Sequence, residues 1–228
     1  MWNLQRWSFL NLDVGFCFYE DSIDTIKRAI ESVKDHVRYI FAIDGKFEFL
    51  DSEQTLSTPD IREYLSTVPN VILVDAPNLK ENFKRQIYID MSKEYNTDVL
   101  IIMDSDEWVT ERTSWDKVNI YLAALAQTKD KPLIRSIPTQ NPGCAGNFPK
   151  VWINPHMINY TETHNFWRFP DNTIWKSTNN YPPVDGLYMR QNDKLRTKSM
   201  LDKTFTYQGE LIKYEKPFKK KYRHYAKG

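Results

Sequence analysis

From residue 12 to residue 103 the chain alternates two hydrophobic patterns. Residues 12–19 (LDVGFCFY) form an apolar and aromatic run of strand length, and Ile23, Ile26, Ile30, Val33 and Val37 then recur at helical spacing. Such spacing makes one apolar helix face, with Asp21 or Ser22 as its N-cap. Residues 38–44 (RYIFAID) read as a second buried strand, and Thr58-Pro59-Asp60 as a cap with proline at the first helical position. A third strand follows at 70–75 (NVILVD), a helix marked by Phe83, Ile87 and Met91, and a fourth strand at 99–103 (VLIIM). Short apolar strands alternating with helices predict βαβ units and a mostly parallel α/β sheet.

In such sheets ligands bind beyond the carboxyl ends of the strands. The residues standing there are Glu20-Asp21, Asp44-Gly45, Asp75-Ala76 and Asp104-Ser105-Asp106-Glu107. Every predicted strand ends in acid. An edge of bare carboxylates repels anions, so the pattern predicts a metal ion or hydrogen-bonding hydroxyls beside it. Beyond residue 130 the texture changes to Pro, Asn and aromatics with little helical periodicity, which predicts strands and long loops, with a short helix at 195–205. Residues 1–205 are expected to form one domain, with a donor-binding half at about 10–130 and a loop- and strand-rich acceptor half at 131–205. A basic-aromatic tail occupies 206–228.

Composition narrows the function classes. The 228 residues carry 31 Lys+Arg against 30 Asp+Glu, so no general basic field grips nucleic acid. The balance hides a split, because residues 211–228 hold seven Lys or Arg and one Glu. That tail suits an anionic membrane surface or an acidic acceptor, or is simply solvated. Only 7 glycines occur, and neither Gly-rich phosphate-loop motif is present. The two cysteines, Cys17 and Cys144, are expected to be reduced thiols. With no signal-peptide pattern and no apolar run of spanning length, a cytoplasmic location is expected, with peripheral membrane contact through the tail.

The strongest chemical signal is IIMDSDEW at 101–108. In an extended segment, side chains at i and i+2 point the same way, so Asp104 and Asp106 would share one side of a strand end. Two such carboxylates suit Mg²⁺ or Mn²⁺, which fills its shell with water and substrate phosphate and offsets the charge of a leaving diphosphate. Asp106 is expected to be the direct ligand, Asp104 to bind ribose or reach the metal through water, and Glu107 to support them from behind. Asp44 is expected to accept hydrogen bonds from ribose or base. Lys84 and Arg85, on the helix preceding this strand, are expected to offset diphosphate charge.

On these residues the chain resembles the GT-A glycosyltransferases, and within them the family-2-like enzymes. The likeness rests on FCFYEDSIDTIKRAIESV, on YIFAIDG with Asp44, on FKRQIYIDMSKEYNTDVLIIMDSDE with Lys84, Arg85 and Gln86, and on PKVWINPHMINYTETHN with Tyr160 and His164. The resemblance implies a GT-A-like (Rossmann-like) fold and a metal-dependent, inverting transferase. Such an enzyme moves a sugar from a nucleotide-diphosphate donor to a hydroxyl acceptor: a saccharide, a lipid-linked saccharide or a protein. It implies Tyr19, Asp44, Lys84, Arg85, Asp104 and Ser105 as donor-binding residues and Asp104, Asp106 and His164 as metal ligands. An inverting transfer needs a general base. Glu162, Asp171 and Asp185 are candidates, and Asp185 is placed nearest the family's late functional residue, with Glu162 next. His156 is read as structural, and most aromatics between 152 and 181 as core. The family's Gly-Ser-Thr-Asp after the second strand and the Gln-x-x-Arg-Trp of processive synthases are absent. A nucleotidyltransferase on a related fold, or a non-catalytic nucleotide- or nucleic-acid-binding module with a basic tail, are the competing readings. The first lacks its Gly-rich loop after strand one, and the acidic body disfavours nucleic acid.

Overall fold

The computed structural model describes residues 10–19, 21–48, 50, 52–127, 132–140, 145–157, 159–160, 167–168, 174–175 and 181–191. The alternation read from the sequence is present. Strands β1 (Leu12–Phe18), β2 (Tyr39–Asp44), β3 (Val71–Asp75) and β4 (Val99–Asp104) alternate with helices α1 (Ile23–Glu31), α2 (Pro59–Thr67) and α3 (Glu81–Glu94). Then come β5 (Glu107–Val109), α4 (Trp115–Ala126), β6 (Leu133–Gln140), β7 (Ala145–Ile153), the short strands β8 (Asn159–Tyr160), β9 (Trp167–Arg168) and β10 (Ile174–Trp175), and β11 (Met189–Gln191).

Among the described residues, eight strands form one sheet in the order β3-β2-β1-β4-β7-β6-β11-β5. The first four are parallel, and β7 joins β4 antiparallel, with Ile101 opposite Val151. This is the predicted α/β architecture, a sheet flanked by helices and consistent with a GT-A-like fold. The second half of the chain extends the same sheet: β7 lies directly against β4, while β8, β9 and β10 make a small antiparallel sheet of their own. The helix expected at 195–205 and the basic tail lie outside the described residues. No helix among the described residues is long and apolar enough to cross a membrane.

Strand alternation decides which face each side chain serves. Leu12, Val14, Phe16 and Phe18 of β1 pack with Ile26 and Ile30 of α1, Ile61 and Leu65 of α2 and Val118 and Leu122 of α4 in one cluster. Burial of each such large side chain contributes roughly 1.5–3 kcal/mol. The opposite face belongs to α3, where Phe41, Ile43, Leu100, Ile102 and Trp152 meet Tyr88 and Ile89. Helix α1 begins at the expected cap, with Ser22 Oγ accepting from the Thr25 N–H at 3.2 Å. It is shorter than its apolar face suggests. Val33 and Val37 are buried from the turns that follow rather than from the helix.

Two glycines set the α3 layer. A Cβ on Gly15 would stand 2.7 Å from the Tyr88 ring, so α3 packs this close because β1 has no side chain there. Gly45, just past β2, has φ +142° and lies against the Ala76 backbone, and this conformation and spacing exclude other residues.

Candidate functional site

The α3 face of the sheet ends, at the carboxyl edge, in a layer of charges. Asp104 closes β4 on the same face as Leu100 and Ile102, opposite α3. There its Oδ1 accepts from Arg85 Nη2 at 3.0 Å and its Oδ2 from Lys150 Nζ at 3.0 Å. Lys150 lies on β7 next to Trp152's face of the sheet and is itself buried. Its ammonium also donates to Glu107 Oε2 at 2.7 Å, and the same oxygen accepts from the Asp104 N–H at 2.8 Å. Arg85 in turn contacts Glu81 Oε1 at 2.8 Å and the Tyr88 hydroxyl at 3.2 Å. The result is a chain of alternating charge, Glu81–Arg85–Asp104–Lys150–Glu107, running from α3 through β4 and β7 to β5.

The electrostatics follow this geometry. Burial opposes ionisation of Asp104, but the Lys150 ammonium and the Arg85 guanidinium outweigh it and hold the carboxyl well below the usual carboxylate range. Burial acts first on Glu107 too, and with Asp104 and Asp106 beside it raises its pKa despite the Lys150 contact. Burial alone would discharge Lys150. Its two carboxylate partners win and keep it firmly charged.

Asp106 does not share a side with Asp104. Extended geometry stops at Asp104 and residues 105–106 turn, so the i, i+2 rule lapses one residue before it is needed. Asp106 points into the fold, 1% exposed, and its Oδ2 accepts from Gln191 Nε2 of β11 at 2.9 Å. Ser105 lies half-buried in that turn. Among the described residues no group of three or more His, Cys, Asp or Glu side chains is arranged to hold a metal ion, and His164 lies outside them. The reason is visible in the donor set. Each Asp104 oxygen already meets a resident cation, and Glu107 shares one of those cations. As arranged here, the described residues do not fit a divalent ion: Asp104 is held by Arg85 and Lys150, and Asp106 by Gln191.

Lys84, expected on a helix face toward the ligand, is completely buried. Its ammonium donates to the Gly45 carbonyl and sits 4.0 Å from the centre of the Phe47 ring. Burial lowers its pKa to about 8, and Cys17, Asp44 and Glu81 only partly offset this. Burial pushes the neighbouring Cys17 thiol up to about 12, which favours the neutral thiol.

Asp44 is also buried and turned inward. It accepts from the Ser57 hydroxyl at 2.7 Å, the Ser57 N–H at 3.1 Å and Arg62 Nη1 at 2.6 Å. Arg62 continues to Asp75 at 2.8 Å. A ribose or base contact at Asp44 therefore requires the segment carrying Ser57 to move. Three of the four acid-ended strands have resident cations: Arg62 neutralises β2 and β3, and Arg85 and Lys150 neutralise β4. Tyr19 follows β1, its hydroxyl donating to the Gln54 carbonyl at 2.6 Å, which pins the same segment.

The acceptor-side expectations fare differently. Asp185 is exposed in a turn whose Gly186 carbonyl accepts from the Ser114 N–H at the start of α4. In β11 it is Gln191, opposite Glu107, that reaches the acidic motif, so the structure does not bring Asp185 to it. Glu162 and Asp171 lie outside the described residues. Trp152 is core, as expected for most aromatics. Sequence reasoning missed Lys150, Gln191, Arg62 and Ser57. A lysine beside the apolar run Val151-Trp152-Ile153 was the one available signal, since a charge inside a buried strand demands a partner.

No protein-family model matches the chain, and no curated protein matches it. Solved structures similar to it include S. aureus TarS, with a TM-score of 0.40 and 14% identity over 60% of this chain and 23% of that one. TarS 1-349 follows at 0.39 and 16%, covering 60% and 38%. TarS 1-349 in complex with UDP gives 0.38 and 14%, covering 58% and 37%. The chain thus spans well under half the length of these structures.

Proposed function

We propose that this protein is a glycosyltransferase that takes a sugar from a nucleotide-diphosphate donor and passes it to a hydroxyl acceptor. The observation that carries the reading is the placement of Lys84, Arg85 and Asp104 together at the carboxyl edge of the parallel strands, on the α3 face. Ligands of open α/β sheets bind at that edge. A guanidinium fixed by Glu81, Tyr88 and Asp104 is oriented in advance for a phosphate oxygen. Lys84 has no carboxylate within ion-pair distance among the described residues, so a diphosphate supplies the counter-charge that its burial withholds.

In this reading Arg85 and Lys84 bind the donor diphosphate and stabilise the negative charge that grows on it as the glycosidic bond breaks. Asp104 orients Arg85, and its half-exposed carboxylate is open to a ribose hydroxyl. Asp44 and Tyr19 act at one remove by holding the segment at 52–57 over the edge. Glu162 is the proposed general base of an inverting transfer. The acceptor is a saccharide, a lipid-linked saccharide or a protein.

The test is a thermal-shift panel of UDP, GDP, dTDP and CMP on wild type and Arg85→Met. A ligand at 100 times its Kd adds ~2.7 kcal/mol, or about 5–10 °C for a chain of this size. One nucleotide diphosphate raising the Tm of wild type but not of Arg85→Met is the expected result. No shift with any nucleotide would remove the donor-binding reading.

A further inference from the structure

We propose that Lys150 is a resident cation of the acidic motif, so that donor binding at this edge needs no divalent metal. The inference deepens the glycosyltransferase reading and rests on it for the identity of the donor.

The argument is one of occupied space and balanced charge. A hard divalent ion binds carboxylate oxygens at roughly 2.0–2.6 Å. The oxygens that Asp104 and Glu107 would offer together are Oδ2 and Oε2, and Lys150 Nζ already lies 3.0 Å from one and 2.7 Å from the other. An ion touching both would sit in contact with the ammonium, a like charge with no water between. The other Asp104 oxygen is held by Arg85 at 3.0 Å. Asp106, the remaining acid, faces Gln191 beyond the turn and is 1% exposed.

Lys150 cannot readily step aside. Its strand, β7, is held on one side by β4 and on the other by β6. Its side chain is 11% exposed, and its amine is held by Asp104 and Glu107 together. The ammonium therefore does what a cation would do at this position. It draws the two carboxylates together, fixes the turn at 105–106 and sets Asp104 against Arg85. Lys150 is a positioning residue acting through Asp104 and Arg85. The charge of the donor phosphates is then met by Arg85 and Lys84.

The experiment reads the metal directly. Mn²⁺ is titrated into the 228-residue chain and the free-ion signal followed by electron paramagnetic resonance. For wild type the signal should match the protein-free control. For Lys150→Met, with two carboxylates left uncompensated, it should fall stoichiometrically, and adding Asp104→Asn should restore it. Tight Mn²⁺ binding by wild type that Asp104→Asn or Asp106→Asn abolishes would overturn the proposal. So would a folded Lys150→Met that leaves the signal unchanged. If circular dichroism shows Lys150→Met unfolded, wild type and Lys150→Arg decide: both should leave the signal at the control level, and depletion by Lys150→Arg would overturn the proposal. A separate arm compares the UDP thermal shift in EDTA and in Mn²⁺. Equal shifts support the proposal, and a shift seen only with Mn²⁺ overturns it. Absence of any nucleotide shift counts against the donor reading and leaves the Mn²⁺ result standing.

Discussion

Lys84 shows how a single buried charge links stability to binding. Burial lowers its pKa from 10.5 to about 8. Between those two values the unfolded chain holds a proton at this position that the folded chain has released. Stability therefore rises with pH across that window, and the unfavourable buried charge is fully present below it. Urea denaturation of wild type and Lys84→Met from pH 7 to pH 10 should show wild type gaining stability relative to the variant as pH rises. A flat difference would mean that Lys84 is not desolvated. A bound diphosphate favours the charged amine, so nucleotide affinity should move the opposite way and weaken above pH 8, a trend absent in Lys84→Met. Asp13 illustrates the contrary case, a buried charge fully provided for. At the amino end of β1, remote from the site, it accepts from Arg38 Nη2 at 2.6 Å, Thr97 Oγ1 at 2.6 Å and the Tyr39 N–H at 3.0 Å. Asp13→Ala strands those donors and should cost about 3 kcal/mol in equilibrium unfolding, with the nucleotide shift of the remaining folded protein unchanged.

Helix α3 carries Lys84 and Arg85, and its height above the sheet is set by Gly15. Adding one methyl group there places carbon 2.7 Å from the Tyr88 ring, inside van der Waals contact. Gly15→Ala should therefore destabilise by roughly 1–3 kcal/mol and also shift the helix, so the nucleotide thermal shift should fall. Loss of stability with the shift intact would separate packing from positioning. The same elements show what the sequence made legible. Strand runs such as VLIIM and RYIFAID and the Ser22 and Thr58-Pro59 starts lie where expected, because buried parallel strands and capped helices are written in local composition. Helix α4 has no counterpart among the expected elements, although Val118 and Leu122 have helical spacing. The site was half legible. Arg85 and Asp104 do meet, since strand topology alone brings α3 and the end of β4 to one face, while Lys84 turns inward to Gly45 and Phe47. The partnerships of Asp104 and Asp106 were not legible, because they depend on where β4 stops and on Lys150 and Gln191, 46 and 85 residues away from them. No local pattern carries such information.

At the scale of the whole molecule, Lys150 ties the parallel half of the sheet to the antiparallel half. The β4–β7 junction is where the first four strands meet the rest of the sheet, and the ammonium bridges Asp104 and Glu107 across it. Taking two carboxylates and an ammonium out of water is costly, and the ion pairs recover that cost only while all partners are present. Removing one member should then be far worse than removing all. Lys150→Met should lose roughly 3–5 kcal/mol, because it strips Asp104 of a counter-charge and leaves Glu107, whose pKa burial already raises, buried without its ammonium partner. Lys150→Met combined with Asp104→Asn and Glu107→Gln removes the repulsion and should regain most of that loss, though it surrenders the alignment of Arg85. The two quantities separate in measurement: urea denaturation reports the recovered stability, and the nucleotide thermal shift reports the lost alignment. A triple variant as unstable as the single one would show that the lysine stem, rather than the charge network, holds the two halves of the sheet together.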